Sequence, residues 1–342
     1  MALSSQTSRR VVVLFTRPGS ALANAPKLVR EAEDLSANAQ TVAKALRGLG
    51  HSVQCLGFGD DLGKLIDRLR SARPEIVFNL AEAPQGCYEK EPHALAVLEL
   101  LGLPYTGNGP FAATLCKDKA LTKDILLAHG IATPRYCIYN EAPREPPKLP
   151  FPLLVKPLRQ DGSIGITEKS VVNTSKELAA AVGYVLEHHQ QEALVEEFMC
   201  GREIQMSVIG NGTREAPYWV LPPSEYIYHS PRWRVCTFEA KWDESHPSYA
   251  AVQAVNPAKL SARLLRQFES LTLESAATLG LSGYARVDFR LDKKGRPHVL
   301  EINPNPDLSP RMGVAAAAQT AGLGYPEFMQ KILQLGLIKG VR

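Results

Sequence analysis

Two segments near the C-terminus, YARVDFRL at 284–291 and HVLEIN at 298–303, decide the fold of this chain. Apolar and polar residues alternate in both segments, which predicts two neighbouring strands with one buried and one polar face. If the chain turns at Lys294–Gly295 with an even loop, Asp288 lies directly opposite Glu301. The pattern therefore predicts an antiparallel hairpin with two opposed carboxylates.

The polar face of this hairpin predicts a metal site. In the same register Arg286 lies opposite Asn303, and the strand ends in the rigid segment Asn303–Pro306. Opposed carboxylates repel each other unless a cation lies between them, and oxygen ligands of this kind suit Mg²⁺. We expect Asp288, Glu301 and Asn303 to bind Mg²⁺, with Mn²⁺ as an alternative. The competing interpretation is an ordinary solvated hairpin face.

A lysine and a glycine loop form a second candidate site. Lys156 ends an apolar strand and is followed by the loop Asp161–Gly165. Small residues in succession expose backbone N–H groups that can surround an anion, and the lysine adds a positive charge. A surface turn beside a lysine would give the same pattern. The segment is not a P-loop, which requires a different spacing of glycine and lysine.

A third candidate site is the segment Leu194–Met199 with Glu203 after it. An apolar strand that ends in acidic residues can offer backbone and carboxylate hydrogen bonds to an adenine edge and to ribose hydroxyls. An ordinary strand end is the alternative interpretation.

The N-terminal third alternates strands and helices. Apolar runs at Val11–Phe15, Val53–Leu56 and Glu75–Leu80 are separated by helical patterns, which predicts a parallel, doubly wound sheet. The turn after the first strand, Thr16–Ser20, lacks the glycines of a dinucleotide-binding fingerprint. A dehydrogenase is therefore disfavoured.

The rest of the chain combines helices, strands and one irregular stretch. We expect a helix from Lys117 to Gly130 and an irregular functional flap over residues 222–250. Further helices are expected at Ser175–His188, Leu260–Leu279 and Tyr325–Leu335.

Composition restricts the class of protein. The 342 residues suggest two or three domains, and 45% hydrophobic with 22% charged residues is typical of globular proteins. The net charge of +4 comes without a dense basic stripe, so we expect no nucleic-acid partner. No signal peptide, membrane span or paired-cysteine motif is evident, which predicts reduced thiols and a cytoplasmic location without membrane contact.

Seven ordered segments resemble the ATP-grasp superfamily, in particular its D-alanine–D-alanine ligase branch. They are 100–107 (LLGLPYTG), 117–119 (KDK), the Lys156 strand and loop, 195–197 (VEE), 239–242 (EAKW), 286–288 (RVD) and 301–303 (EIN). The resemblance implies a three-domain α/β fold, with a doubly wound domain at 1–107 and two ATP-clasping α+β domains at 108–192 and 193–342. It also suggests a homodimer.

The resemblance implies which residues bind ATP. The phosphates would be held by Lys119, Lys156 and a mobile loop from Gly162 to Gly165. Adenine would lie against Glu196, Glu197 and Met199, and ribose against Glu203.

The resemblance also implies the chemistry. Lys241 would reach the γ-phosphate, and Ser163 in the loop is carried over as a catalytic residue. Two Mg²⁺ ions would be held by the predicted metal ligands, and Arg286 would stabilise negative charge on the reacting carboxylate. ATP would convert a carboxylate to an acyl phosphate, and an amine would then attack it, which makes the protein an ADP-forming ligase of amino acids or small peptides. The alternatives are an ATP-grasp kinase and a non-catalytic ATP-binding protein.

The substrate motifs depart from those of D-alanine–D-alanine ligases. Asp307–Arg311 replaces the expected glycine, methionine, threonine and histidine–serine pair, Ala81–Pro84 replaces a histidine–glycine pair, and one of two loop serines is missing. Glu33 is a weak match to the acid that would hold the first amino group. We therefore expect a product other than D-alanyl-D-alanine, with Arg232, Arg234 and Arg311 as candidate carboxylate-binding residues.

Overall fold

The structure is a computed structural model, and it describes residues 7–17, 26–145, 147–229, 235–310 and 313–340. Within these ranges the side chains of 26–35 and of residue 242 are left out of the description. Its strands form three separate sheets.

The first sheet has three parallel strands in the order β2-β1-β3, as the sequence predicts. The strands are β1 (Arg10–Thr16), β2 (Ser52–Phe58) and β3 (Ile76–Leu80), and the helices are α1 (Pro26–Gly48), α2 (Leu62–Ala72) and α3 (Glu91–Leu100). Val11 to Leu14 are at most 2% exposed, because parallel strands are covered on both faces.

The helix predicted over Lys117–Gly130 is confirmed apart from two residues at each end, as α5 (Lys119–Ala128). The helix directly before it, α4 (Pro110–Lys117), was not predicted. The two helices meet at Asp118, whose Oδ1 accepts hydrogen bonds from the backbone N–H groups of Ala120 and Leu121 at 3.1 and 3.0 Å. Asp118 is thus the N-cap of α5, and it separates this helix from α4.

The second sheet has four antiparallel strands in the order β4-β7-β5-β6, with the helix α6 (Ser175–His189) packed on β5. The strands are β4 (Tyr136–Tyr139), β5 (Leu153–Pro157), β6 (Val171–Val172) and β7 (Ala193–Glu197). β7 directly follows the predicted boundary at 192 and pairs with β5 and β4. The domain boundaries stay a prediction.

The third sheet follows the order β11-β10-β8-β12-β13, with β9 paired to β8. Its strands are β8 (Glu203–Gly210), β9 (Trp219–Val220), β10 (Ser224–Tyr228), β11 (Val252–Val255), β12 (Gly283–Leu291) and β13 (Pro297–Asn303).

Within the stretch 222–250, the described residues 222–229 and 235–250 are more ordered than the irregular pattern predicts. Besides β10 the stretch contains two short helices, α7 (Phe238–Trp242) and α8 (Pro247–Ala251). The side chains of Thr237 and His246 cap their first turns, and five residues are too few to give a readable helical period. The longer α9 (Ala262–Thr278) packs on the third sheet as expected.

Two C-terminal helices pack between the first and third sheets, where the second of them contacts β3 and β12 and the first contacts β8. They are α10 (Gly313–Thr320), which the sequence did not predict, and α11 (Tyr325–Lys339). Val314 and Phe328 share one apolar core with Val11 and with Tyr284 of β12. This core joins the two ends of the chain. No helix in the described ranges is long and apolar enough to cross a membrane.

Candidate active site

The hairpin of β12 and β13 has the predicted register at its functional end. Asp288 pairs with Glu301, and Arg286 pairs with Asn303. Nearer the turn Phe289 pairs with Val299, so a bulge places one extra residue in β13 and the assumption of an even loop is wrong. The bulge shifts the turn without moving the four polar side chains from their shared face.

Arg286 forms two hydrogen bonds with Asp288. Nε and Nη2 donate to the carboxylate oxygens at 2.6 and 2.8 Å. Burial alone would lower the pKa of Arg286, but the Asp288 carboxylate outweighs it and raises that pKa. Glu301 has no ion-pair or hydrogen-bond partner within the described ranges. The sequence placed Arg286 beside the metal ligands but did not predict this direct contact.

Two buried lysines bind one buried glutamate beneath the glycine loop. The Nζ atoms of Lys123 and Lys156 each lie 2.8 Å from a carboxylate oxygen of Glu196, at angles outside ordinary hydrogen-bond geometry. Burial opposes ionisation of Glu196, but the two lysines lower its pKa to about 2. Sequence reasoning missed Lys123, because its partner lies in a distant strand.

Two further lysines hold the start of the loop. Lys119 donates from Nζ to the backbone oxygen of Gln160 and lies 3.8 Å from Asp161. Lys117 forms ion pairs with Asp161 and, at 2.5 Å, with Glu91 of α3. Burial lowers the pKa of Lys119. Lys117 was not predicted as a site residue, although it lies two residues before the predicted Lys119.

The glycine loop adopts the backbone conformation that its sequence suggests. Gly162, Ser163 and Gly165 have φ values of 63°, 66° and 79°. Gly165 has no room for a side chain, because a Cβ atom would lie against Pro157 and 2.8 Å from Nε2 of His189. Glycine is therefore required at this position for two reasons, its φ angle and its close packing.

The predicted adenine and ribose residues line one small cavity of about 60 Å³, together with Lys156, Ser163, Lys241 and Asp288. Glu203 is held there by Nε of Arg290 at 2.9 Å and by the Tyr228 hydroxyl at 2.7 Å. Arg290 also donates to the backbone oxygen of Met199 at 3.1 Å. Glu197 lies at the edge, paired with Arg135. Ordinary nucleotide pockets are several times larger than this cavity.

A second cavity of about 380 Å³ adjoins the first and extends towards the N-terminal sheet. It is lined by Gly162, Arg286 and Asn303, which the sequence predicted, and by Glu91 and Asp307. Four residues line both cavities, namely Gln205, Tyr226, Lys241 and Glu301. The predicted flap lysine and one predicted metal ligand thus lie where the two cavities meet.

Some predicted site residues are not part of this arrangement. Gly165 lines a groove on the other side of the loop. Arg232, Arg234 and Arg311 lie outside the described residues, as does the side chain of Glu33. The six cysteines are free thiols, as expected.

Comparison with known proteins identifies the family. The family described as D-ala D-ala ligase C-terminus matches residues 137–334. The chain is 31% identical over 306 residues to a D-alanine–D-alanine ligase of Moorella thermoacetica, covering 86% of this chain and 92% of the relative. It is 35% identical over 307 residues to an uncharacterized protein of Sinorhizobium fredii, covering 87% and 86%. A solved D-alanine–D-alanine ligase of Bacillus anthracis has a TM-score of 0.75 at 22% identity, covering 96% and 98%.

These findings confirm the ATP-grasp fold and define the class of protein. The chain belongs to the D-alanine–D-alanine ligase family. It is an ATP-binding, ADP-forming carboxylate–amine ligase, as the sequence resemblance implied.

Proposed function

We propose that this ligase phosphorylates the carboxylate of an amino acid or small peptide where its two cavities meet, and then joins it to an amine. The supporting observation is that Lys241 and Glu301 line both cavities. The γ-phosphate of a nucleotide in the small cavity would reach this junction, and the acceptor carboxylate would approach it from the large one. The acyl phosphate would then lie beside the open space that admits the amine.

The roles proposed for the ATP-side residues follow from their positions. Adenine and ribose would occupy the opened small cavity against Glu196, Glu197, Met199 and Glu203. Lys156, Lys119 and the backbone from Gly162 to Gly165 would surround the phosphates. Lys123 and Arg290 hold Glu196 and Glu203 in place and so support this arrangement.

The donor set at the hairpin fits a magnesium ion. Asp288, Glu301 and Asn303 offer only oxygen ligands, as Mg²⁺ and Mn²⁺ prefer. The negative charge of Glu301 acts to raise the pKa values of three lysines, Lys119, Lys156 and Lys241. Phosphate groups bound by these lysines would therefore lie near the proposed metal ligands. The proposed metal ligands are two carboxylates and one amide. No cluster of three His, Cys, Asp or Glu residues that could hold a metal ion occurs in the described ranges. Bound metal would neutralise phosphate charge during transfer.

The chain's own cations would stabilise the charge that develops during the reaction. The Arg286 guanidinium lies on the wall of the large cavity, where it could pair with the reacting carboxylate and the tetrahedral oxyanion. Burial opposes the charge of Lys241, but neighbouring acidic groups, which include Tyr226, Cys236 and Glu301, outweigh it and raise the pKa of Lys241. Ser163, from the loop, and Lys241, from the flap, would exclude water that otherwise hydrolyses the acyl phosphate.

We also propose that the substrate pair differs from two D-alanines. The large cavity is lined by Glu82 and Asp307, which belong to the two segments that depart most from the family motifs. The ATP-facing residues resemble the family, whereas these substrate-facing residues do not.

A phosphate-release screen of amino acids and dipeptides in pairs, with Mg²⁺ and ATP, tests this function. We expect release to require both a carboxylate and an amine, and Glu301→Gln to lower kcat at least 100-fold. The matched control is Glu187→Gln, which removes an exposed acid on α6 and should leave activity unchanged. Full activity in Glu301→Gln would refute the metal assignment, and release with a single substrate would refute the ligase reaction.

A further inference from the structure

One end of the large cavity is built around the contact between Asn38 of α1 and Asp307, which follows β13. The Asn38 Nδ2 donates to Oδ1 of Asp307 at 2.8 Å. The same oxygen accepts hydrogen bonds from the backbone N–H of Ser309 at 2.8 Å and from its hydroxyl at 2.7 Å. Three neutral donors thus fix the Asp307 carboxylate on the cavity wall.

The amide oxygen of Asn38 is buried without a partner. Asn38 is 7% exposed, and its Oδ1 accepts no hydrogen bond from the described residues. The amide cannot be turned over, because Oδ1 would then face the Asp307 carboxylate as a second acceptor. Buried acceptors in folded proteins are almost always satisfied, so this oxygen points to a donor supplied by a ligand.

Cationic side chains and the acceptor groups of Asn38 and Asp307 occupy different parts of the large cavity. Lys241 lies where the two cavities meet, and Arg286 lies on the adjoining wall of the large cavity. Lys117 is paired with Glu91 and Asp161. The Asn38 end offers an amide oxygen and a carboxylate instead. Neither Asn38 nor Asp307 lines the small cavity on the ATP side. The Asn38 end is therefore rich in acceptors, whereas the junction of the cavities holds Lys241 and Arg286 beside the carboxylates of Glu301 and Asp288.

We propose that the Asn38–Asp307 end binds a primary ammonium group of one substrate, remote from the amide bond being formed. An ammonium has three donors and no acceptor, so it can satisfy Asn38 Oδ1 and the Asp307 carboxylate together. The preferred substrate is then a diamino acid or a peptide that presents such an amine. This inference rests on the proposed ligase function.

Matched substrates test the inference without altering the protein. Lysine and ornithine of either hand are compared with norleucine and norvaline, which keep the chain length but lack the terminal ammonium. Each is offered with the same set of partner amino acids in the phosphate-release assay. We expect kcat/KM to be 10- to 100-fold higher for the ammonium-bearing member of each pair.

The variant Asp307→Asn removes the charge and keeps an oxygen for the three donors. We expect it to raise the KM of the ammonium-bearing substrate 10- to 100-fold while changing kcat and the KM of ATP less than threefold. Asp67→Asn, on the exposed face of α2, is the control and should change none of these values.

The possible failures are distinguishable. Equal use of norleucine and lysine, with unchanged KM values in Asp307→Asn, would overturn the ammonium site and leave the ligase function intact. A folded protein that releases no phosphate with any pair would overturn the ligase function, and the ammonium site with it.

Discussion

The two cavities of this ligase differ in whether particular buried polar groups on their walls have partners. On the ATP side the buried charges are paired, since Glu196 binds Lys123 and Lys156 and Glu203 binds Arg290. On the substrate side the Asn38 amide oxygen has no partner among the described residues. The first cavity has a volume of about 60 Å³, whereas the second has a volume of about 380 Å³. The difference teaches that the ion pairs of Glu196 and Glu203 are complete without a ligand, while the Asn38 oxygen needs a donor from outside the described residues.

The largest expected effect concerns the paired end. Glu196→Gln leaves two buried lysines without a counter-charge, so we expect a loss of about 3–5 kcal/mol in the free energy of unfolding. Urea denaturation at neutral pH measures it. The adjacent Glu197→Gln is the matched control, because its partner Arg135 is 65% exposed and such a pair contributes less than about 1 kcal/mol. Equal losses in the two variants would show that burial does not determine how much these ion pairs contribute to stability.

Lys117→Met tests the ion pairs that join the glycine loop to α3. The variant leaves the carboxylates of Glu91 and Asp161 close together, and we expect a loss of about 3 kcal/mol at neutral pH. Asp161 keeps Lys119 nearby, so the effect should be smaller than in Glu196→Gln.

This loss should depend on pH. Burial raises the pKa of Glu91 above its ordinary value of 4.5 against the opposing effect of Lys117, and removing the lysine raises it further. A raised pKa means that stability is present below pH 4.5 and is lost as the pH rises through the pKa of the folded state. The deficit of Lys117→Met, measured by urea denaturation, should therefore shrink as the pH falls from 8 to 5. A constant deficit would exclude this charge-based explanation.

Gly165→Ala tests whether the close packing of the glycine loop matters for ATP binding. The added methyl group meets Pro157 and His189, and the φ of 79° disfavours any side chain. We expect displacement of the loop and a loss of about 1–3 kcal/mol in ATP binding, measured by calorimetry. Gly130→Ala is the control, because it has a similar φ of 76° but open space around it and lies outside the two cavities. A similar effect on ATP binding in both variants would show that close packing at Gly165 is unimportant.

The sequence predicted most of the framework because its strands carry strong local patterns. Alternation in β12 and β13 gave the register at Asp288 and Glu301, and the apolar run of β1 gave the parallel sheet. The helix α4 was not predicted, since its eight residues span little more than two helical turns. The bulge in β13 was missed because alternation does not reveal a single inserted residue.

The site was predicted less completely, since its residues depend on partners far along the chain. Lys123, Lys117 and Arg290 gave no signal of their own, because Glu196, Glu91 and Glu203 lie in other elements. The resemblance supplied the roles of Lys241 and Arg286 but not the pairing of Arg286 with Asp288. The homodimer stays a prediction of the resemblance.

Transfer of oxygen from substrate to phosphate tests the central claim most directly. The acid of an active substrate pair is labelled with ¹⁸O in its carboxylate, and the released phosphate is analysed by mass spectrometry. An acyl-phosphate ligase transfers one labelled oxygen to each phosphate, because the amine displaces the phosphate together with the bridging oxygen. We predict one ¹⁸O per phosphate and an equal amount of amide product; unlabelled phosphate would contradict the account.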